Sequence, residues 1–188
     1  MESFRHFLDE GALPLDKVMT KRGTKEVVVV QGRFQPPTLG HLKAIEQAYK
    51  KFKKPVAIVL VKGGKSKIPF DEKIQKKVFK AMLGSIPHIF VDEDSGFIGN
   101  FIDKLRKDNK EPIAIFTGSD RVKSYEAQID RYVEKLNLNI KVHEIVRGDE
   151  DVSATKVRNA LKDDDFEAFK KLTHKNVHKM FKELQAKL

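Results

Sequence analysis

The stretch Val27-Val28-Val29-Val30-Gln31-Gly32-Arg33-Phe34-Gln35-Pro36-Pro37-Thr38-Leu39-Gly40-His41 decides the reading of this chain. Four consecutive valines make a continuous apolar run rather than an alternating one, the pattern of a strand covered on both faces. Gly32 lets the backbone turn sharply and lets a ligand approach it. Pro36 and Pro37 stiffen the loop and keep the residues before them extended. Thr38 suits a helix N-cap. Gly40 falls second in the helix that follows, where the missing side chain leaves room for an anion at the positive helix end. His41 comes one residue later and can address the same anion. Strand, glycine turn, capped helix and histidine together describe a phosphate site.

Outward from this loop the same grammar repeats. Apolar runs at 56–61, 89–91, 113–116 and 140–146 read as further strands. Helical spacing joins Leu42, Ile45, Tyr49 and Phe52, then Ile74, Val78, Phe79 and Met82. It returns in Phe97, Phe101 and Leu105, and in Val122, Tyr125, Ile129, Val133 and Leu136. Strands alternating with helices predict an α/β fold: a doubly wound, mainly parallel, five-stranded Rossmann-like sheet with helices on both faces. Short helices near Ser153, Phe166–Leu172 and Val177–Leu184 predict a helical C-terminal end from about residue 163. Residues 26–188 read as one domain and residues 1–25 as an extension. In such a sheet ligands bind beyond the strand carboxyl ends. That directs attention to the loops starting at Gln31, Lys62, Asp92, Thr117 and Arg147.

Composition narrows the function. The 188 residues include 37 Lys+Arg against 27 Asp+Glu, a formal net charge of +10. The charge is concentrated: 11 lysines stand against 3 acidic residues between Lys43 and Lys77. Such a stretch attracts polyanions, or it forms a solvated face. Cysteine is absent, which excludes disulfides, a Cys-ligated zinc and a Cys nucleophile and suits a reducing compartment. The longest apolar run, Val56–Val61, is far short of the ~20 residues that span a membrane. The N-terminus lacks a signal-peptide core, so the expected location is cytoplasmic.

A second motif lies after the fifth strand: Val152-Ser153-Ala154-Thr155-Lys156-Val157-Arg158. Ser153 is a good N-cap. Thr155 and Arg158, three apart, share a helix face. Hydroxyl, guanidinium and exposed N–H groups can form a second phosphate site. The pair of motifs resembles the nucleotidyltransferase superfamily, the cytidylyltransferase-like group. Thr38-Leu39-Gly40-His41 fits its T/H-x-G-H signature, with Thr38 where many members have a histidine. Val152–Arg158 is similar to its I-S-x-T-x-[IV]-R string. Gly32-Arg33-Phe34-Gln35-Pro36 is similar to the opening of the nicotinamide-mononucleotide adenylyltransferase subset.

The resemblance implies an enzyme that moves a nucleoside monophosphate from an NTP, ATP by likeness, to a phosphorylated acceptor with release of pyrophosphate. The implied acceptor is nicotinamide mononucleotide, giving NAD. Trp is absent, so Phe or Tyr would stack on the nicotinamide ring. Cytidylyl or pantetheine-phosphate transfer is the runner-up. The implied catalytic residues are His41, Thr38 and Arg158. Nucleotide contacts fall to Gly32, Arg33, Phe34, Gly40, Ser153, Thr155 and the Gly118-Ser119-Asp120 loop after strand four. Mg²⁺ would be bound mainly through substrate phosphates, with no protein metal ligand assigned.

Other signals are weaker. Gly63-Gly64-Lys65-Ser66 lacks the upstream glycine of a P-loop, but Lys62, Lys65 or Lys67 could reach a phosphate. His174 and His178, four apart, read as solvent-facing rather than metal-binding, and His6, His88 and His143 as lacking partners. The runs 149–151 and 163–165 read as solvated or capping acids. Met1–Glu10, with Leu8-Asp9-Glu10, resembles capsid-targeting peptides of internal head proteins in large tailed phages. That leaves a non-enzymatic alternative: a basic protein of a phage head that binds nucleic acid. Neither motif fixes the oligomeric state, and a homo-oligomer stays open.

Overall fold

The computed structural model describes residues 25–62, 69–136, 139–145 and 152–188. The expected N-terminal peptide, Lys65, Lys67 and the acidic run 149–151 lie outside the described residues. The strands are β1 (Lys25–Gly32), β2 (Val56–Val61), β3 (His88–Glu93), β4 (Lys110–Thr117) and β5 (Lys141–Glu144). Between them run α1 (Leu39–Phe52), α2 (Glu72–Leu83), α3 (Ile98–Lys107) and α4 (Ser119–Leu136). After β5 come α5 (Ala154–Lys162), α6 (Phe166–Leu172), a 3₁₀ helix (Lys175–Met180) and α7 (Phe181–Gln185).

All pairings are parallel, in the order β3-β2-β1-β4-β5. The chain winds outward from β1 to β3, then returns to β4 on the other side of β1. The order therefore reverses between β1 and β4, the point where such sheets open a crevice at their carboxyl ends. One register shift interrupts the β1–β4 pairing, at Val27/Val28 opposite Pro112. Proline cannot donate to the ladder, and a bulge accommodates it.

Alternation along β1 feeds two cores. Val28 and Val30 pack with Leu42 and Ile45 of α1, Phe79 of α2 and Leu161 of α5. Val27 and Val29 pack with Phe101 and Leu105 of α3 and Tyr125 and Ile129 of α4. The first core also takes in Phe169, Phe181 and Leu184, so the C-terminal helices cover the α1/α2 face. Phe70, Phe79, Phe101 and Phe169 are fully buried. Truncating any of them to alanine costs about 3–5 kcal/mol.

The expected last helix instead starts as a 3₁₀ turn. In that geometry residues three apart eclipse, which buries Val177 and Met180 together. The acids at 163–165 do cap: Asp165 accepts from the Ala168 N–H at the start of α6.

Candidate nucleotide-binding site

The first loop is held from several directions. Phe34, Gln35, Pro36, Pro37 and Thr38 are all buried. The Gln35 amide accepts from the Phe70 N–H (3.0 Å) and donates to the Phe70 carbonyl (2.7 Å). Gln75 of α2 donates to the Arg33 carbonyl at 3.1 Å. Phe34 adopts a positive φ of 49°, which turns its ring inward between His41 and Phe79, 4.9 Å from each and edge-on. A side chain at Gly32 would meet that ring at 2.9 Å, so the close packing of the ring requires glycine there. Phe34 thus supports the site from below, and any ligand contact it makes is through its backbone.

His41 is half-buried in the first turn of α1, after the N-cap Thr38. Its Nδ1 accepts from the Thr38 N–H at 3.0 Å and lies 3.1 Å from Thr38 Oγ1. A backbone N–H can only donate, so the neutral ring carries its proton on Nε2. The buried Thr38 hydroxyl therefore turns toward the histidine, and Nε2 is the nitrogen that can donate to an anion.

The second tip meets the first. A Cβ built on Gly40 would lie 3.6 Å from the Val152 carbonyl, just ahead of α5, and 3.7 Å from Thr38 Oγ1. Arg158 of α5 donates to the Gln35 carbonyl at 2.5 Å and to Thr155 Oγ1 at 3.0 Å. Ser153 caps α5 by accepting from the Lys156 N–H at 3.2 Å. Ser153 and Thr155 are exposed. Two helix N-termini thus meet at Gly40 and Val152, with a histidine on the first helix and an arginine on the second. Aligned N–H groups at two helix starts favour a chain of phosphates.

The third predicted group sits apart, at the carboxyl end of β4. Gly118 is buried, while Ser119 and Asp120 are exposed in the first turn of α4. The Thr117 carbonyl accepts from Ile145 N–H, tying this loop to β5. Lys62 pairs with Glu72 (2.9 Å) and Asp94 (3.3 Å).

Several histidines differ from expectation. His143 does have partners: Lys51 Nζ at 3.0 Å from its Nδ1, and the Phe52 and Phe116 rings. Burial, then Lys51 and Lys141, hold its pKa below the ordinary value. His88 Nδ1 lies 2.8 Å from the Ile86 carbonyl. His174 and His178 are half-buried, and each bonds to nearby backbone. Sequence spacing could not reveal the His143 contacts, because they join separate elements.

The sequence pattern of the cytidylyltransferase-like family matches residues 29–160, which span both tips. The chain belongs to the cytidylyltransferase-like family. Solved structures agree on the fold. Thermotoga maritima TmcAL bound with alpha-thio ATP matches at a TM-score of 0.60 and 14% identity, over 85% of this chain and 55% of that one. The chain thus spans little more than half of TmcAL. A putative nicotinate-nucleotide adenylyltransferase from Vibrio parahaemolyticus matches at 0.58 and 19%, over 84% and 98%. The Plasmodium falciparum nicotinic acid mononucleotide adenylyltransferase complexed with APC matches at 0.57 and 13%, over 85% and 96%. No helix among the described residues is long and apolar enough to cross a membrane.

Three residues near this site escaped the sequence reading: Gln31, Arg121 and Tyr125. They line a pocket of about 170 Å³ with Gly32 and Arg33 of the first loop. Tyr125 fitted the apolar period of α4 and read as plain core. Its hydroxyl acquires a partner only when α4 packs beside β1.

Proposed function

We propose that the protein transfers a nucleoside monophosphate from an NTP, ATP by family likeness, to a phosphorylated small-molecule acceptor. The observation that carries this reading is the meeting of the two helix tips at Gly40 and Val152, with Arg158 bridging them.

An acceptor phosphate oxygen attacks the α-phosphorus in line. The bond from that phosphorus to the oxygen bridging to the β-phosphate breaks, and pyrophosphate leaves. No protein nucleophile is needed. Catalysis consists of positioning and of stabilising the charge that develops on the phosphates. His41 donates from Nε2 to the α-phosphate oxygens. Thr38 keeps the ring in that tautomer and orientation. Gly40 lets the phosphate chain approach the α1 N-terminus. Ser153, Thr155 and Arg158 hold the β- and γ-phosphates, with Arg158 on the departing pyrophosphate. Gly32 and Arg33 border the acceptor side, and the Gly118-Ser119-Asp120 loop faces the nucleoside.

The described residues contain no group of three His, Asp or Glu side chains suited to a metal. In this reading Mg²⁺ would be held on the substrate phosphates and would neutralise their charge, and the residue roles above do not pass through it. The acceptor favoured by the Gly32–Pro36 likeness is a pyridine mononucleotide, nicotinamide mononucleotide giving NAD.

The test is a matrix of NTPs against phosphorylated acceptors, read by pyrophosphate release with Mg²⁺. One productive pair supports transfer. Salt-dependent DNA binding with no pyrophosphate from any pair would replace this reading with the non-enzymatic one.

A further inference from the structure

The fold divides the basic stretch that runs from Lys43 to Lys77. Past the first turn of α1 its lysines are engaged. Lys50 pairs with Glu46 (4.0 Å), and Lys51 lies 3.0 Å from His143 Nδ1. Lys53 sits over the Tyr49 ring, and Lys54 pairs with Glu26 (2.8 Å). α2 differs. It turns Ile74, Gln75, Val78 and Phe79 inward. That leaves Lys73, Lys77 and Lys80, at i, i+4 and i+7, in one row along its outer face. All three are exposed. Lys77 pairs with Glu183 of α7 at 2.6 Å. Among the described residues, no acid pairs with Lys73 or Lys80.

The 3₁₀ helix extends this row. Asn176 donates from Nδ2 to the Ala81 carbonyl at 3.0 Å, which fixes the 3₁₀ helix against the end of α2. Residues three apart eclipse in this geometry, so Lys179 stands in line with Asn176, beside the junction. Lys179 is exposed, and no acid among the described residues pairs with it either.

Spacing, chemistry and apolar content point to one kind of partner. A rise of 1.5 Å per residue separates Lys73 from Lys80 by about 10 Å along the helix axis. That is the span of about three phosphates on one strand of a duplex. Every cation in the row is a lysine, a point charge suited to phosphate contact rather than to planar recognition of a base. The exposed large apolar side chains of the described residues are Phe166 and Leu188, both outside the row. A protein partner needs an apolar centre, and a single strand needs an aromatic platform on which bases stack. The row offers neither. We infer that the face formed by α2 and the 3₁₀ helix binds the phosphate backbone of a nucleic-acid duplex without reading its sequence. The inference does not rest on the transferase reading.

The test is fluorescence anisotropy of a labelled DNA duplex of about 20 base pairs, titrated with the full chain from about 50 to about 200 mM salt. Wild-type binding should weaken steeply with salt. The triple variant Lys73→Gln, Lys80→Gln, Lys179→Gln should bind at least about tenfold more weakly at the lower salt. Its slope of log K against log salt should be shallower by about 2–3, nearly one for each phosphate contact removed. The matching arginine triple variant should bind like the wild type. Lys50→Gln, Lys53→Gln, Lys54→Gln removes the same charge from the end of α1 and should change the slope by less than about 1. Thermal melts check that all three variants fold. Three results would overturn the inference: no duplex binding by the wild type, whether or not phosphatidylserine vesicles are bound; equal losses in the two glutamine variants; or a single strand of the same sequence bound as tightly as the duplex.

Discussion

Two N-caps stand at the mouth of the same crevice and are built differently. Thr38 is buried, and its loop is held by Gln35 on Phe70, by Gln75 on Arg33 and by the Phe34 ring beneath His41. Ser153 is exposed, and Arg158 ties its helix to the loop through the Gln35 carbonyl. Similar sequence signals, a hydroxyl residue opening a helix, thus serve two purposes. The first tip is preorganised, which in the proposed transfer would spare its histidine a rearrangement. The second tip rests on core packing and on the Arg158 tie to that loop, and the residue that supplies the tie is also the proposed phosphate ligand.

Breaking the first tip at its chemical end should have the largest effect. His41→Ala is expected to lower turnover at least ~10²-fold, the scale of losing one preorganised donor to a developing anion. Its unfolding midpoint should stay close to wild type, because the ring is half-buried; steady-state kinetics beside a thermal melt checks both. Breaking the same tip at its structural end should appear in stability instead. Gln35→Ala leaves the Phe70 N–H without its side-chain partner and the Phe70 carbonyl with Gln75 alone, and about 1–3 kcal/mol should be lost in denaturant unfolding.

A control comes from a region that touches neither tip. Glu93 is buried at the end of β3 and accepts from Lys104 (2.9 Å), Asn100 (3.1 Å) and Ser95. Burial pushes its carboxyl up, but the bonds from Lys104, Asn100 and the Ser95 backbone outweigh this and leave it below the ordinary value. A depressed carboxylate contributes stability above the unfolded pKa of about 4.3, and that contribution disappears as pH falls through the folded value. Glu93→Gln should therefore be less stable than wild type at pH 7, and the gap should close in acid. A gap that stays constant across pH would mean the charged form is not what the bonds favour. The smallest effect is expected for Thr38→Val. It removes the hydroxyl 3.1 Å from Nδ1 but keeps the backbone N–H that sets the tautomer. Turnover should fall only about threefold to tenfold, on the scale of one neutral hydrogen bond. A loss equal to that of His41→Ala would give Thr38 a direct role on the substrate.

The sheet was legible because continuous apolar runs such as Val27–Val30 and Val56–Val61 carry their own two-sided burial. The tips were legible because glycine, proline and hydroxyl residues have few uses between a strand and a helix. What stayed hidden depends on side chains that meet across long stretches of chain. Gln35 stands in the quoted loop, yet its value lies in Phe70, 35 residues away. Gln31 and Tyr125 are 94 apart and read separately as a loop start and a core position. Phe34 looked like a ligand residue, but its positive φ turns the ring toward Phe79.

The central claim is that both tips hold one triphosphate, the first at its α-phosphate and the second at its β- and γ-phosphates. Calorimetric titration of ATP and of AMP, each into wild type and Arg158→Ala, tests it most directly. The account predicts that ATP binding weakens about tenfold or more while AMP binding does not change. Equal weakening of both nucleotides, or of neither, would contradict it.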